Sequence, residues 1–159
     1  EAGGAVNELD LYADEDAFLG ETNHIFLNDS GQPQSIPDGS QLIVTTTDGA
    51  QNTSSTYVVL DEVNTSIVDP ANPNLAGFQI ETIDLRFGDN SELTITEEQL
   101  LALSDNSNTL TVEGGDDDTV TITGAQKVDG GANEPAGYDF YTLGQDATII
   151  VGDDIDIVT

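Results

Sequence analysis

Apolar residues in this chain fall in short alternating runs, separated by clusters of Gly, Pro, Asn and Asp. That is the pattern of a domain built from many short strands. The first half offers strands over Ala5–Ala13, with Val6, Leu9 and Leu11 apolar, and over Thr22–Leu27. Ser40–Thr47 and Thr56–Asp61 follow, flanking the polar loop Asp48–Ser55, and Asp69–Leu75 carries two prolines and reads as a connector. From Gly77 the alternation sharpens. Phe78–Phe87 keeps Phe78, Ile80, Ile83, Leu85 and Phe87 on one face only if a bulge falls near Glu81–Thr82. Ser91–Ile95 is a short strand. Thr96 and Gln99 form a capping box that opens the one good helix, Glu97–Ser104, with two acids at its positive end. Thr109–Glu113 and Thr119–Thr123 predict a hairpin across Gly114–Asp118, and Tyr138–Leu143 and Ala147–Val151 predict another across Gly144–Asp146. A last strand, Ile155–Val158, follows. The expected fold is mainly β: an antiparallel β-sandwich-like domain with one short helix at about residues 97–104, in a single module spanning 1–159.

Composition changes this picture in one respect. Thirty-one Asp and Glu stand against Arg86, Lys127 and a single His, a formal charge of −29 on 159 residues. Such a chain repels itself, which opposes the compact state. A chain without Cys has no disulfides to offset that. Two cations cannot make the basic footprint that nucleic acid requires, and an anionic membrane surface is disfavoured for the same reason. No apolar run approaches the ~18–20 residues of a membrane-spanning helix. A start at Glu1 without Met reads as a module excised from a larger protein, monomeric within a long chain.

The acids fall in turns. Asp116, Asp117 and Asp118 follow Gly114–Gly115; Asp153, Asp154 and Asp156 follow the Ala147–Val151 strand; Asp14 and Asp16 follow the first strand; Asp129 and Asp139 bracket a Gly-rich loop. Carboxylates crowded in a loop repel unless a cation sits among them, and Ca²⁺ accepts about six to eight such oxygens. Several Ca²⁺ ions are therefore the expected cofactor, with these ten aspartates as candidate ligands. No segment matches the EF-hand loop, and Gly114–Val120 and Asp129–Asn133 are only degenerate echoes of the calcium β-roll nonapeptide. Salt adaptation is the competing explanation of the charge. Asn133, Glu134, Tyr138 and Tyr141, beside the Asp129–Asp139 loop, are the candidate ligand-binding residues, Tyr giving rigid contact area at low entropic cost.

No catalytic residue is assigned. His24 is the only histidine, the GxSxG nucleophile motif is absent, and zinc lacks ligands. Paired carboxylates for glycoside hydrolysis have no supporting aromatic set, since Trp is absent.

The stretches Ile80–Gly124 and Gly137–Ile155, with the order IETIDL, LLALSD, NTLTVEG, DTVTITG, GYDFY and ATIIV, resemble modules near the ligand-binding regions of very large bacterial RTX adhesins. The resemblance implies an extracellular module on a bacterial surface, exported by type I secretion. It also implies a ligand-binding role resembling the family's peptide-binding modules, in which bound Ca²⁺ contacts the terminal carboxylate of a partner's peptide. The expected partner is thus a peptide or protein C-terminus on another cell, with no nucleic acid and no membrane insertion. Two alternatives stay open: a Ca²⁺-rigidified spacer, and a Ca²⁺-dependent carbohydrate-binding module.

Overall fold

A computed structural model describes residues 6–16, 21–129, 131 and 135–159. The chain divides into two compact units, Ala5–Asp38 and Gly39–Thr159.

In the first unit, β1 (Asp10–Asp16) and β2 (Glu21–Leu27) form an antiparallel hairpin with Asp10 opposite Leu27 and Asp16 opposite Glu21. Both strands lie close to their expected places, β1 displaced toward the turn. A turn over Asn28–Gln32 follows, its Asn28 side chain accepting from the amides of Ser30 and Gln32. An isolated two-stranded hairpin is marginal in water.

The second unit holds β3 (Ser40–Thr47), β4 (Thr53–Val68), β5 (Ile80–Asp84), β6 (Gly88–Thr94), α1 (Glu97–Leu103), β7 (Thr109–Glu113), β8 (Thr119–Thr121), β9 (Gln126–Val128), β10 (Tyr138–Leu143), β11 (Ala147–Gly152) and β12 (Asp156–Val158). The ten strands make one mixed sheet, curled about the long β4. The first half of β4 belongs to an arm ordered β3-β4-β5-β7-β11-β10-β9, and its second half to an arm ordered β4-β6-β8-β12. The fold is mainly β with a single α-helix, as the alternation predicts. The direction of the central ladders differs from the expected sandwich, because β4, β5, β7 and β11 run parallel, as do β4, β6, β8 and β12.

Each of β5–β6, β7–β8 and β11–β12 is therefore one coil of a roll: strand, turn, strand in the opposite arm. The hairpin expected across Gly114–Asp118 does not form. Strand β7 pairs with β5 and β11, and β8 with β6 and β12. Alternation states which face is buried, and Leu110, Val112 and Val120 are buried either way. It does not state which neighbour the backbone amides meet. The β10–β11 hairpin forms as expected, with Tyr138 opposite Gly152 and Leu143 opposite Ala147.

The two arms share one core, including Ile80, Ile83, Leu93, Leu110, Val120 and Ile149, each no more than 1% exposed. The expected bulge is present. Ser55 pairs with Ile80 and Thr56 with Thr82, leaving Glu81 as the extra residue. That shift keeps Ile80 and Ile83 both inside. Helix α1 carries its capping box: the Gln99 amide donates to Thr96 Oγ1 at 3.3 Å, and the Thr96 amide donates to Gln99 Oε1 at 2.9 Å. Leu100 and Leu103 bury its inner face.

The Glu97 carboxylate ties this helix to the β10–β11 turn by accepting from the amides of Gln145 and Asp146, at 2.7 and 2.9 Å. Those two amides hold its carboxyl below the usual carboxylate range. Gly144 in that turn has φ +68°, and a Cβ added there would lie 1.8 Å from a Glu97 oxygen. Gly144→Ala is expected to cost about 1–2 kcal/mol from the left-handed backbone alone. If a thermal melt shows no loss, residue 144 does not hold the left-handed backbone of this turn.

Candidate functional site at the stacked acidic turns

Parallel coils bring their turns to one end of the roll, one strand spacing of about 4.8 Å apart. The three turns are Leu85–Phe87, Gly114–Asp118 and Asp153–Ile155, and the acids placed at the last two by the sequence are therefore stacked. Asp117 Oδ2 accepts from the Asn90 amide near the start of β6, beside the neighbouring turn, at 3.0 Å. Asp118 Oδ1 accepts from the Ser91 amide at 2.9 Å, and its Oδ2 from the Gly115 amide at 2.9 Å. The Asp118 carbonyl accepts from the Asp156 amide at 3.0 Å, which joins the third turn. Gly114 is required by closeness: a Cβ there would lie 2.6 Å from Asp118 Oδ2 and 3.0 Å from Ile155.

Asp118 is only 1% exposed, and among the described residues no cation pairs with it. Burial pushes its carboxyl above the ordinary range and Asp117 adds to that, while the amides of Gly115 and Ser91 pull it down. Beside it, Ser91 is fully buried and its hydroxyl makes no hydrogen bond of ordinary geometry. Asp116, Asp117, Asp153, Asp154 and Asp156 are exposed around this buried carboxylate.

The remaining candidates lie elsewhere. Asp129 Oδ1 accepts from the Gly131 amide, and Asp139 is paired with Lys127 Nζ at 2.6 Å. Asp14 and Asp16 stand on β1 opposite Asn23 and Glu21 in the other unit, and their side chains lie outside the described residues. Asn133 and Glu134 also lie outside them. Tyr138 is half-buried and its hydroxyl donates to Glu113 Oε1 at 3.1 Å. Tyr141 needs correction as a ligand-facing residue. It points inward from β10 and is 7% exposed in the core, because the alternation of β10 turns 141 and 143 inside and leaves 138, 140 and 142 outside.

Sequence reasoning passed over one cluster. Arg86 binds the buried Asp84 carboxylate through Nε and one terminal nitrogen, at 2.9 and 2.7 Å, and Glu113 through the other at 2.8 Å. These carboxylates raise the guanidinium above its ordinary value, Asp84 most. The signal was present in an Asp-x-Arg at the end of a strand, in a chain with one Arg. Both cations of the chain thus have carboxylate partners.

Hard oxygen donors are plentiful at the turns, but among the described residues no three acidic, His or Cys side chains converge where a metal ion could be held. Among the described residues no helix is long and apolar enough to cross a membrane. In comparisons with protein-family models, curated protein sequences and solved structures, the chain matches none.

Proposed function

We propose that the chain is a Ca²⁺-dependent module of a large bacterial surface adhesin, outside the cell, with its ions at the acidic turns and a partner's terminal carboxylate as ligand. The observation that carries the calcium reading is the stack of turns around Asp118. A buried carboxylate without a counter-cation is costly, and such groups are ordinarily paired or coordinate a metal. Asp116 and Asp117, with Asp153 and Asp154 one turn away, supply hard oxygens. An ion there would complete its shell from backbone carbonyls and water. Calcium supplies the positive charge that the chain lacks.

The ligand reading follows from charge. With Arg86 and Lys127 both engaged by carboxylates, a surface of net −29 accepts an anionic terminus only through a bound cation. The inward position of Tyr141 favours the second reading, a Ca²⁺-rigidified spacer with no ligand of its own.

Melting in EDTA and in a few millimolar CaCl₂, at fixed high NaCl, tests the first step. A rise of many degrees specific to calcium is expected, by mass action on the folded state. Equal melting in both would leave salt adaptation to explain the charge. Screening C-terminal peptides against the calcium-loaded protein then separates ligand module from spacer.

A further inference from the structure

The edge of a sheet shows water a row of unpaired backbone donors and acceptors. Such edges are ordinarily blunted by shortness, charge, Pro or a bulge. Among the described residues the sheet of the second unit has four of them, and three are blunted. Strand β9 has three residues with Lys127 at the centre, and β12 has three residues opening on Asp156. The half of β4 beyond β3 opens on Asp61 and Glu62, and its pairing is broken by two register shifts. Strand β3 has none of these features. Its eight residues, Ser40–Thr47, include no charge and no Pro, in a chain where 31 of 159 are acidic. Ile43 to Thr47 are all β-branched, and the whole strand pairs with β4 without a shift.

The neighbours fix the direction of the free groups. The Ser55 amide donates away from β3, to the Gln79 carbonyl at 2.9 Å. Ser55 and Thr45 therefore face each other without mutual hydrogen bonds, and Thr45 turns its N–H and C=O to the open side. By alternation Gln41, Ile43 and Thr47 do the same. Among the described residues no strand lies beyond them, and Gln41, Thr45 and Thr47 are exposed.

We propose that the β3 edge receives an extended segment of a partner polypeptide as an added strand, uncharged where it pairs and basic at its ends. Only an extended backbone carries donors and acceptors at the repeat these alternate residues present, and strand addition is a recurring mode of recognition. A charge within the paired stretch would be desolvated beside Leu42, Ile43 and Val44. Charge also selects the occupant. A second copy would bring another body of net −29 to the edge, against mutual repulsion. A segment with Lys or Arg at its ends is drawn in by the same field, and Asp48, in the turn that ends β3, is exposed to meet it. The contact is made by backbone groups and needs no ion, so it stands apart from the calcium reading.

The test is fluorescence anisotropy of a dye-labelled, end-blocked peptide of alternating Thr and Val with Lys at both ends, titrated with the whole chain in CaCl₂ throughout. End-blocking removes the terminal carboxylate, so an ion at the acidic turns has nothing to capture. Saturable binding is expected. The same peptide N-methylated at alternate residues keeps its charge but loses its donors on one edge, and is expected to bind at least about tenfold more weakly. Thr45→Pro removes one outward donor at a position where an edge strand tolerates Pro, and is also expected to weaken binding about tenfold. Thr45→Val keeps the backbone donor and is expected to bind as wild type. If Thr45→Pro fails to fold by circular dichroism, Thr47→Pro at the end of the strand replaces it. The idea is overturned by a peptide that does not bind saturably, by a methylated peptide that binds equally, or by a folded Pro variant that binds undiminished. It is equally overturned by a wild-type dimer that the Pro variant dissolves, which would give the edge to a second copy.

Discussion

Asp118→Ala is expected to destabilise the second unit by about 2–4 kcal/mol in calcium-free buffer. Two amides, those of Ser91 and Gly115, lose their acceptor inside the turn stack. Each orphaned donor costs about 1–3 kcal/mol, and relief of the buried charge offsets a part. The pH dependence has a definite sign. Burial raises the folded-state value of Asp118 above 3.8, so the folded protein favours the neutral acid. The contribution of this group is therefore full below the unfolded value and is lost as pH rises through the folded one. Wild type minus Asp118→Ala, followed by urea midpoints across the acid range, should narrow with rising pH. A flat difference would show that the carboxyl is not desolvated. Added calcium should widen the gap if Asp118 belongs to the ion's surroundings.

Leu110→Ala is expected to cost about 2–5 kcal/mol, through lost transfer energy and the cavity left behind. Leu110 is fully buried on β7 and lies between β5 and β11, with Ile149 beside it in register. The site has little room to collapse, since parallel neighbours hold it from both sides. Ile67→Ala, at a side chain 70% exposed, should stay within about 0.5 kcal/mol. Comparable urea midpoints for the two variants would contradict the assignment of inner and outer faces.

Local chemistry was legible wherever the signal was short in range. The capping box at Thr96 and Gln99, the bulge at Glu81 and the β10–β11 hairpin are each decided within a few residues by side-chain reach or by alternation. The site was legible only in part. Asp116–Asp118 and Asp153–Asp156 could be recognised as acidic turns. That they belong to one stack depends on Asp118 meeting Ser91 and Asp156, contacts over 27 and 38 residues that no local pattern encodes. Glu113 gave no sign of its partners either, because Arg86 reaches it from the β5–β6 turn and Tyr138 from β10.

By itself, then, the sequence determined that the fold is mainly β, where most strands and the helix roughly lie and where the charge gathers. These follow from the two-residue period of a strand and from the preference of Asp and Gly for turns. It did not determine β9, the extension of β4 to Val68 or the outward position of Phe87. The tertiary structure alone decided that β7 and β8 stand in opposite arms, that the ladders run parallel and that the turns stack. A strand–turn–strand segment satisfies its alternation equally as a hairpin or as a coil. The choice is made by the backbone hydrogen bonds and apolar faces that β5, β6, β11 and β12 bring from elsewhere in the chain.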